Sequence, residues 1–182
     1  MSIADLLAAV EASRLASSIR NSLYLFPLIE SLHVIGLSMV FGTIAIIDLR
    51  LLGIASTRRP FTSIASDTLK WTWVAFVVTA ATGLLMFITN AEVYFYNFYF
   101  QTKMALIAVS GINMLMFELT ARRSVDRWDR NASAPSAGKA VAVVSLLLWI
   151  SVIFLGRWVG FTTTKTTVPD DPGFNIEELL PQ

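Results

Sequence analysis

The chain has 182 residues, of which 55% are hydrophobic and 15% are charged, and its mean hydropathy is +0.63. A soluble domain of this length is less apolar, so the composition indicates a membrane protein. The sequence contains no Cys, which excludes disulfides and thiolate metal sites, and its net charge of +1 gives no general attraction to nucleic acid.

Four apolar stretches are each long enough to cross the roughly 30 Å hydrocarbon layer of a bilayer as a helix. They run over residues 23–52, 71–89, 98–119 and 140–161. The first stretch starts late and has no basic segment directly before it, so we expect no cleaved signal peptide. The sequence therefore predicts an all-α, integral membrane four-helix bundle over residues 23–161.

Basic residues gather in two of the three segments that connect these spans. The segment between the second and third spans has no Lys or Arg. Because Lys and Arg concentrate in cytoplasmic loops, the pattern predicts a multi-pass protein of the bacterial inner membrane with both termini on the periplasmic side. The basic residues are Arg50, Arg58, Arg59 and Lys70 after the first span, and Arg122, Arg123, Arg127, Arg130 and Lys139 after the third.

The two terminal segments lie outside the bundle. Residues 1–22 carry apolar side chains at helical spacing. This pattern predicts an amphipathic helix that lies at the periplasmic surface of the inner membrane. Residues 162–182 are polar and rich in Pro and acidic residues, so we expect an extracytoplasmic tail that builds no core of its own. This tail is either loose or docked on a partner.

The candidate site consists of ionisable residues within the spans. Glu30 and His33 lie on the first span, Lys103 on the third and Arg157 near the end of the fourth. With a rise of about 1.5 Å per residue, all four fall in the outer half of the membrane. Intramembrane charges are costly and invite a functional explanation. The structural alternative is that Glu30 pairs with Lys103 or Arg157 while His33 hydrogen-bonds to a carbonyl group.

His33 is the only histidine of the chain. Gly36 lies on the same helix face, and we expect it to leave room for a flat ligand beside the imidazole. A single His supplies one axial ligand to a haem iron, so an intrachain bis-histidine cytochrome is excluded. Any haem would be five-coordinate, completed by another residue type such as Met, or shared between protomers.

A second group of charges is predicted at the inner end of the bundle. It comprises Asp48, Arg50, Glu118 and Arg122, of which the last two are four residues apart on one helix face. We interpret this layer as structural. The sequence shows no phosphate-binding glycine loop, no nucleophile elbow and no zinc motif with two histidines, so whether the protein is an enzyme stays open.

Motifs on all four spans resemble a known family. Over residues 20–161 the chain is similar to an uncharacterised bacterial family of small four-helix membrane proteins, a resemblance that implies the fold but no activity. The motifs are YLFP at 24–27, SLHVIGL at 31–37, DLRLLG at 48–53, TGLLMF at 82–87, NFYFQTK at 97–103, GIN at 111–113, LW at 148–149 and GR at 156–157.

A more distant resemblance concerns His33, the nearby Gly36 and Lys103 at the start of the third span. This arrangement is similar to the haem-binding membrane protoporphyrinogen oxidases and to the copper-resistance membrane domains. The resemblance implies haem b bound through His33 as the metal ligand, with Lys103 near a propionate or a substrate carboxylate. The lack of a second His departs from classical b-type cytochromes.

Three functional hypotheses follow, in order of preference. The first is a haem-binding redox protein in which His33 ligates the iron and Glu30 orients His33 or relays protons. In this hypothesis Lys103 and Arg157 neutralise propionates. The second is a non-catalytic assembly subunit that forms a homo-oligomer or joins a membrane partner subunit. The third is a proton or small-ion pathway lined by Glu30, His33 and Lys103.

Overall fold

The computed structural model describes residues 2–120, 122–130 and 134–163, and helices make up most of these ranges. Beyond Thr163, the predicted polar tail lies outside the described residues. The helices, in chain order, are α1 (Ile3–Glu11), α2 (Arg14–Asn21), α3 (Leu25–Leu52), α4 (Phe61–Thr89), α5 (Ala91–Phe95), α6 (Phe98–Leu119), a 3₁₀ turn (Arg122–Ser124), α7 (Val125–Trp128) and α8 (Ser136–Thr163).

Four helical stretches are long and apolar enough to cross a membrane: α3, α4, the stretch Phe98–Trp128 that contains α6, and α8. In the apolar part of each stretch, at most 22% of the residues are buried inside the protein. Large apolar side chains therefore cover the outside of the helices, as contact with lipid requires. The predicted all-α fold with four long apolar helices is confirmed, and it supports a multi-pass membrane protein.

The second long helix begins well before the apolar stretch that predicted it. The first turn of α4 is held by Asp129, a residue distant in sequence. The Thr62 backbone N–H donates to Asp129 Oδ1 at 2.8 Å, and the Thr62 hydroxyl donates to Oδ2 at 3.0 Å. Phe61 is buried against Trp128, with ring centroids 5.1 Å apart. These tertiary contacts continue the helix through a polar segment that hydropathy alone does not mark as helical.

The four long helices form an open bundle. We call the end where α3 and α6 begin the amino end, and the end with the connecting segments 53–60 and 122–130 the basic end. Helix α3 packs closely against α4 and α8, and α8 packs closely against α6. Within the described residues α4 and α6 do not pack closely against each other. The backbones of α4 and α6 therefore stay apart, and the two helices meet through ring contacts near their ends, Phe87 with Phe100 and Phe61 with Phe117.

Gly36 allows the close approach of α3 and α4. A Cβ atom at position 36 would lie 2.5 Å from Thr79 Oγ1, and that hydroxyl donates to the Ala75 carbonyl at 2.7 Å. We expect Gly36→Ala to lower the free energy of unfolding by about 1–3 kcal/mol, because either the Thr79 hydroxyl must leave its hydrogen bond or the two helices must separate. Thermal unfolding in detergent measures this change.

The matched control for this prediction is Gly42→Ala on the same helix. A Cβ at position 42 meets no atom within 4 Å, so this variant shows only the gain in helix propensity. Equal unfolding temperatures for the two variants would contradict the close contact at Gly36.

The segment predicted as one amphipathic helix forms two, α1 and α2. The Ser13 hydroxyl accepts a hydrogen bond from the Ala16 N–H at 3.2 Å and so starts a new helix at this point. Ile19 is buried, and the Arg20 guanidinium donates to the Thr89 carbonyl at 2.7 Å. These contacts fasten the segment to the amino end of the bundle. Its position at a membrane interface stays a prediction.

The predicted charge layer at the basic end separates into two parts. Arg122 and Glu118 form the expected ion pair at 3.0 Å on the surface. Arg50 is fully buried, and its guanidinium donates to the carbonyls of Arg59 and Asp129, each at 3.1 Å. It thereby links the two loops of the basic end.

Candidate functional site

Helix α3 holds the His33 ring against α4. His33 Nδ1 lies 3.0 Å from the Thr79 carbonyl oxygen and 3.1 Å from the Thr82 hydroxyl. Because a carbonyl oxygen only accepts, we assign the ring proton to Nδ1. In the neutral ring Nε2 is then an acceptor, and it forms no hydrogen bond with any described residue. The structure thus presents an oriented imidazole in which Nε2 has no hydrogen-bond partner among the described residues.

Two glycines shape the surroundings of His33 in different ways. A Cβ at Gly83 would lie 3.0 Å from His33 Cε1, so the absence of a side chain there lets the ring rest on α4. The space beside Gly36 is taken by the Thr79 side chain. The prediction that Gly36 gives a flat ligand access to the imidazole is therefore wrong.

Lys103 extends from α6 towards His33 and α8. Its ammonium lies 3.5 Å from the position of a Cβ at Gly156, and it interacts electrostatically with His33. In the part of the chain that the structure describes, Lys103 forms neither an ion pair nor a hydrogen bond. A partly buried cation without a counter-charge favours an anionic partner. The ion pair of Lys103 with Glu30, which the structural alternative allows, is absent.

The structure does not bring Glu30 and Arg157 to the imidazole. Both side chains are exposed at the amino end. Glu30 interacts electrostatically with Tyr94 of α5, and the Arg157 guanidinium lies 5.1 Å from the centroid of the Phe161 ring. His33 and Lys103 therefore form the inner part of the candidate site. The orientation of His33 comes from Thr79 and Thr82, which sequence reasoning had not assigned to the site.

An aromatic cluster covers the site on the side of the amino end. Phe87 stacks on Phe100 with ring centroids 5.6 Å apart, and Tyr94 lies 5.8 Å from Phe100. Phe87 is one helical turn beyond Gly83, and Phe100 is one turn before Lys103. The cluster therefore separates the His33 and Lys103 layer from the end of the bundle.

Tyr94 reports on the position of Glu30. Burial raises the pKa of the Tyr94 phenol above its ordinary value of 10.0, a hydrogen bond with Thr163 opposes this, and the Glu30 carboxylate raises it further. We expect Glu30→Gln to lower the pKa of Tyr94, whereas Glu92→Gln leaves it unchanged. Absorbance at alkaline pH, with Tyr94→Phe subtracted, measures the ionisation.

The raised pKa also sets the sign of a stability change. The Tyr94 phenol ionises at a lower pH in the unfolded chain than in the folded chain. Its contribution to the free energy of unfolding is therefore complete below the ordinary pKa and is lost as the pH rises through the pKa of the folded chain. A Tyr94→Phe variant should lack this component of the alkaline loss of stability. Identical alkaline profiles in the two proteins would contradict it.

The donor set around His33 limits the kind of metal group. Over the described ranges, no group of three or more His, Cys, Asp and Glu residues is placed to hold a metal ion. His33 would therefore be a single protein ligand to any metal bound there. A porphyrin supplies the equatorial ligands of its iron, so one axial His is enough to hold it.

The fold defines a class of all-α, multi-pass proteins with four long apolar helices. Within this class, the chain matches the model of a family of unknown function, DUF6644, over residues 21–162, and it belongs to that family. No curated protein and no solved structure matches the chain. The predicted membership of an uncharacterised family is confirmed. These comparisons name no haem or copper protein, so the distant resemblance stays a prediction.

Proposed function

We propose that the protein is a membrane redox protein that binds haem b through His33. The observation that carries this proposal is the hydrogen bond from His33 Nδ1 to the Thr79 carbonyl at 3.0 Å. Histidines that ligate metals almost always donate their other ring N–H to a carbonyl, a carboxylate or water, which fixes the ring and leaves Nε2 for the metal. Haem bound there supplies one-electron chemistry.

The charges near His33 support the same proposal. The ammonium of Lys103, which has no anionic partner among the described residues, suits a propionate group. Arg157 is exposed at the same end and is available for a second acidic group. Glu30, also exposed, serves in this proposal as a proton relay to the surface and not as the residue that orients His33.

Titration of haemin into the full chain in mild detergent tests the proposal. We expect a saturable Soret band at one haem per chain, or one per two chains if the iron is shared between protomers. Micelles without protein provide the background. Haemin binding no tighter than that of empty micelles would overturn the proposal.

The predicted orientation is part of this proposal, because it places the site in the periplasmic half of an inner membrane. Since the chain contains no Cys, single cysteines can be introduced at Ser22 and at Ser56 in otherwise unchanged protein. In intact cells a membrane-impermeant thiol reagent should label the cysteine introduced at position 22 and should not label the one introduced at position 56. The reverse labelling would contradict the orientation.

The other two hypotheses stay predictions with their own tests. A monomer in mild detergent without a co-purifying chain would count against an assembly subunit. Proton flux through vesicles that is unchanged by Glu30→Gln would count against a conduction pathway.

A further inference from the structure

A second candidate site lies between α4 and α6, in the half of the bundle nearer the basic end. A cavity of about 300 Å³ occupies this region, with a lining that is mainly apolar. Ile107, one turn beyond Lys103, lines the cavity, but neither His33 nor Lys103 does. The volume lies at the lower end of the range for small-molecule sites. The cavity is thus separate from the His33 site.

The lining contains one buried acidic group, Asp48 of α3. This side chain is only 5% exposed, and its Oδ2 has no hydrogen-bond partner among the described residues. Ser145 of α8 interacts with the carboxyl group. Arg50, two positions further along α3, directs its guanidinium to the loop carbonyls instead. A buried polar oxygen without a partner is rare and indicates a missing donor.

Two other polar side chains of the lining donate to backbone carbonyls. The Asn113 amide N–H donates to the Val141 carbonyl at 3.1 Å, and the Ser110 hydroxyl donates to the Leu106 carbonyl at 2.9 Å. Neither group donates to Asp48 Oδ2, which stays an acceptor without a partner among the described residues. A complementary ligand has to bring its own donor.

The remaining lining indicates the rest of the ligand. Trp73, Phe76 and Trp149 contribute aromatic surface, which packs well against a ring. The cavity lies where α4 and α6, within the described ranges, do not pack closely, and its lining residues Trp73 and Phe76 are exposed on the outside of the bundle. These features together require an apolar, partly aromatic ligand with a hydrogen-bond donor.

We infer that this cavity binds a lipophilic molecule with a hydroxyl group, a phenol in its simplest form, which enters from the bilayer between α4 and α6 and donates to Asp48. The apolar part of the molecule fills the cavity, and the hydroxyl group supplies the donor that Asp48 lacks. The binding does not depend on haem at His33.

Two probes of matched shape test this inference: radiolabelled 4-octylphenol, which has a hydroxyl donor, and 4-octylanisole, which has none. Equilibrium binding is measured with the full chain in nanodiscs, and binding to empty nanodiscs is subtracted. We expect the phenol to bind at least about tenfold more tightly than the anisole, because only the phenol can donate a hydrogen bond to the buried acceptor. Equal affinities would overturn the inference.

Variants assign the preference to Asp48. Asp48→Leu should abolish the preference for the phenol, and Asp48→Asn, which keeps the size of the side chain, should reduce it to less than about threefold. Glu92→Gln, which removes an exposed carboxylate at the amino end, should leave it unchanged. If Asp48→Leu does not fold, Asp48→Asn decides. A full preference in Asp48→Asn would overturn the role of Asp48.

Discussion

Haem affinity is expected to fall at least about a hundredfold when His33 is replaced by Ala, because loss of an outer-shell partner alone costs a metal site about 10- to 100-fold. The variant removes Nε2, the proposed axial ligand. The hydrogen bond that orients the ring at 3.0 Å from the Thr79 carbonyl is lost at the same time. Haemin titration of both proteins in the same detergent measures the difference.

Two further variants separate ligation from a purely structural role of His33. In His33→Gly, added imidazole should restore the Soret band, because it supplies the missing ligand in the vacated space. Lys103→Met should weaken binding about tenfold while the Soret maximum stays in place, since only a charge partner is lost. Wild-type haemin affinity in His33→Ala would show that another residue holds the iron.

The largest loss of stability is expected from Arg50→Ala. The buried guanidinium donates to the Arg59 carbonyl in one loop and the Asp129 carbonyl in another, each at 3.1 Å. The substitution leaves these carbonyls without this donor and creates a cavity at the basic end. We expect the free energy of unfolding to fall by about 3 kcal/mol or more, because charge-assisted hydrogen bonds contribute more than neutral ones.

Denaturant unfolding in detergent measures this loss against two controls. Arg58→Ala removes an exposed cation from the same loop and should change the free energy by less than about 0.5 kcal/mol. The loss of free energy of unfolding in Arg50→Lys should lie between the losses in Arg50→Ala and Arg58→Ala. An ammonium group lacks the planar guanidinium geometry that reaches two carbonyls. If Arg50→Ala unfolds like Arg58→Ala, the loops are held together by other contacts.

The long helices were largely predictable from the sequence because lipid imposes a minimum apolar length. The third span, residues 98–119, coincides with α6, and the first ends with α3 at Leu52. The start of α4 was missed because Asp129, far along the chain, caps it. Such a contact has no local signal in the sequence.

The site was predictable as a layer but not as a set of contacts. The rise per residue predicted that His33 and Lys103 lie at a similar depth in the membrane. In the structure the two side chains interact electrostatically. Helix α3 is apolar on nearly all sides, so its sequence does not say that His33 faces α4 while Glu30 faces outwards. Thr82 and Gly83 stood in a recognised motif, yet only their position opposite His33 shows what they do.

The cavity beside Asp48 lay beyond sequence reasoning for a related reason. Asp48 was predicted to belong to a structural charge layer at the inner end of the bundle, together with Arg50, Glu118 and Arg122. In the structure Arg50 turns to the loop carbonyls, and Asp48 instead lines the cavity between α4 and α6. The spacing of residues along a helix cannot reveal which pairs of neighbouring helices fail to pack closely against each other.

An absorption spectrum of the purified chain tests most directly our proposal that the protein holds haem in its natural state. The protein is expressed with ample haem, purified in mild detergent and measured oxidised and then reduced. We expect a Soret band that shifts on reduction. A featureless spectrum in both states would contradict it.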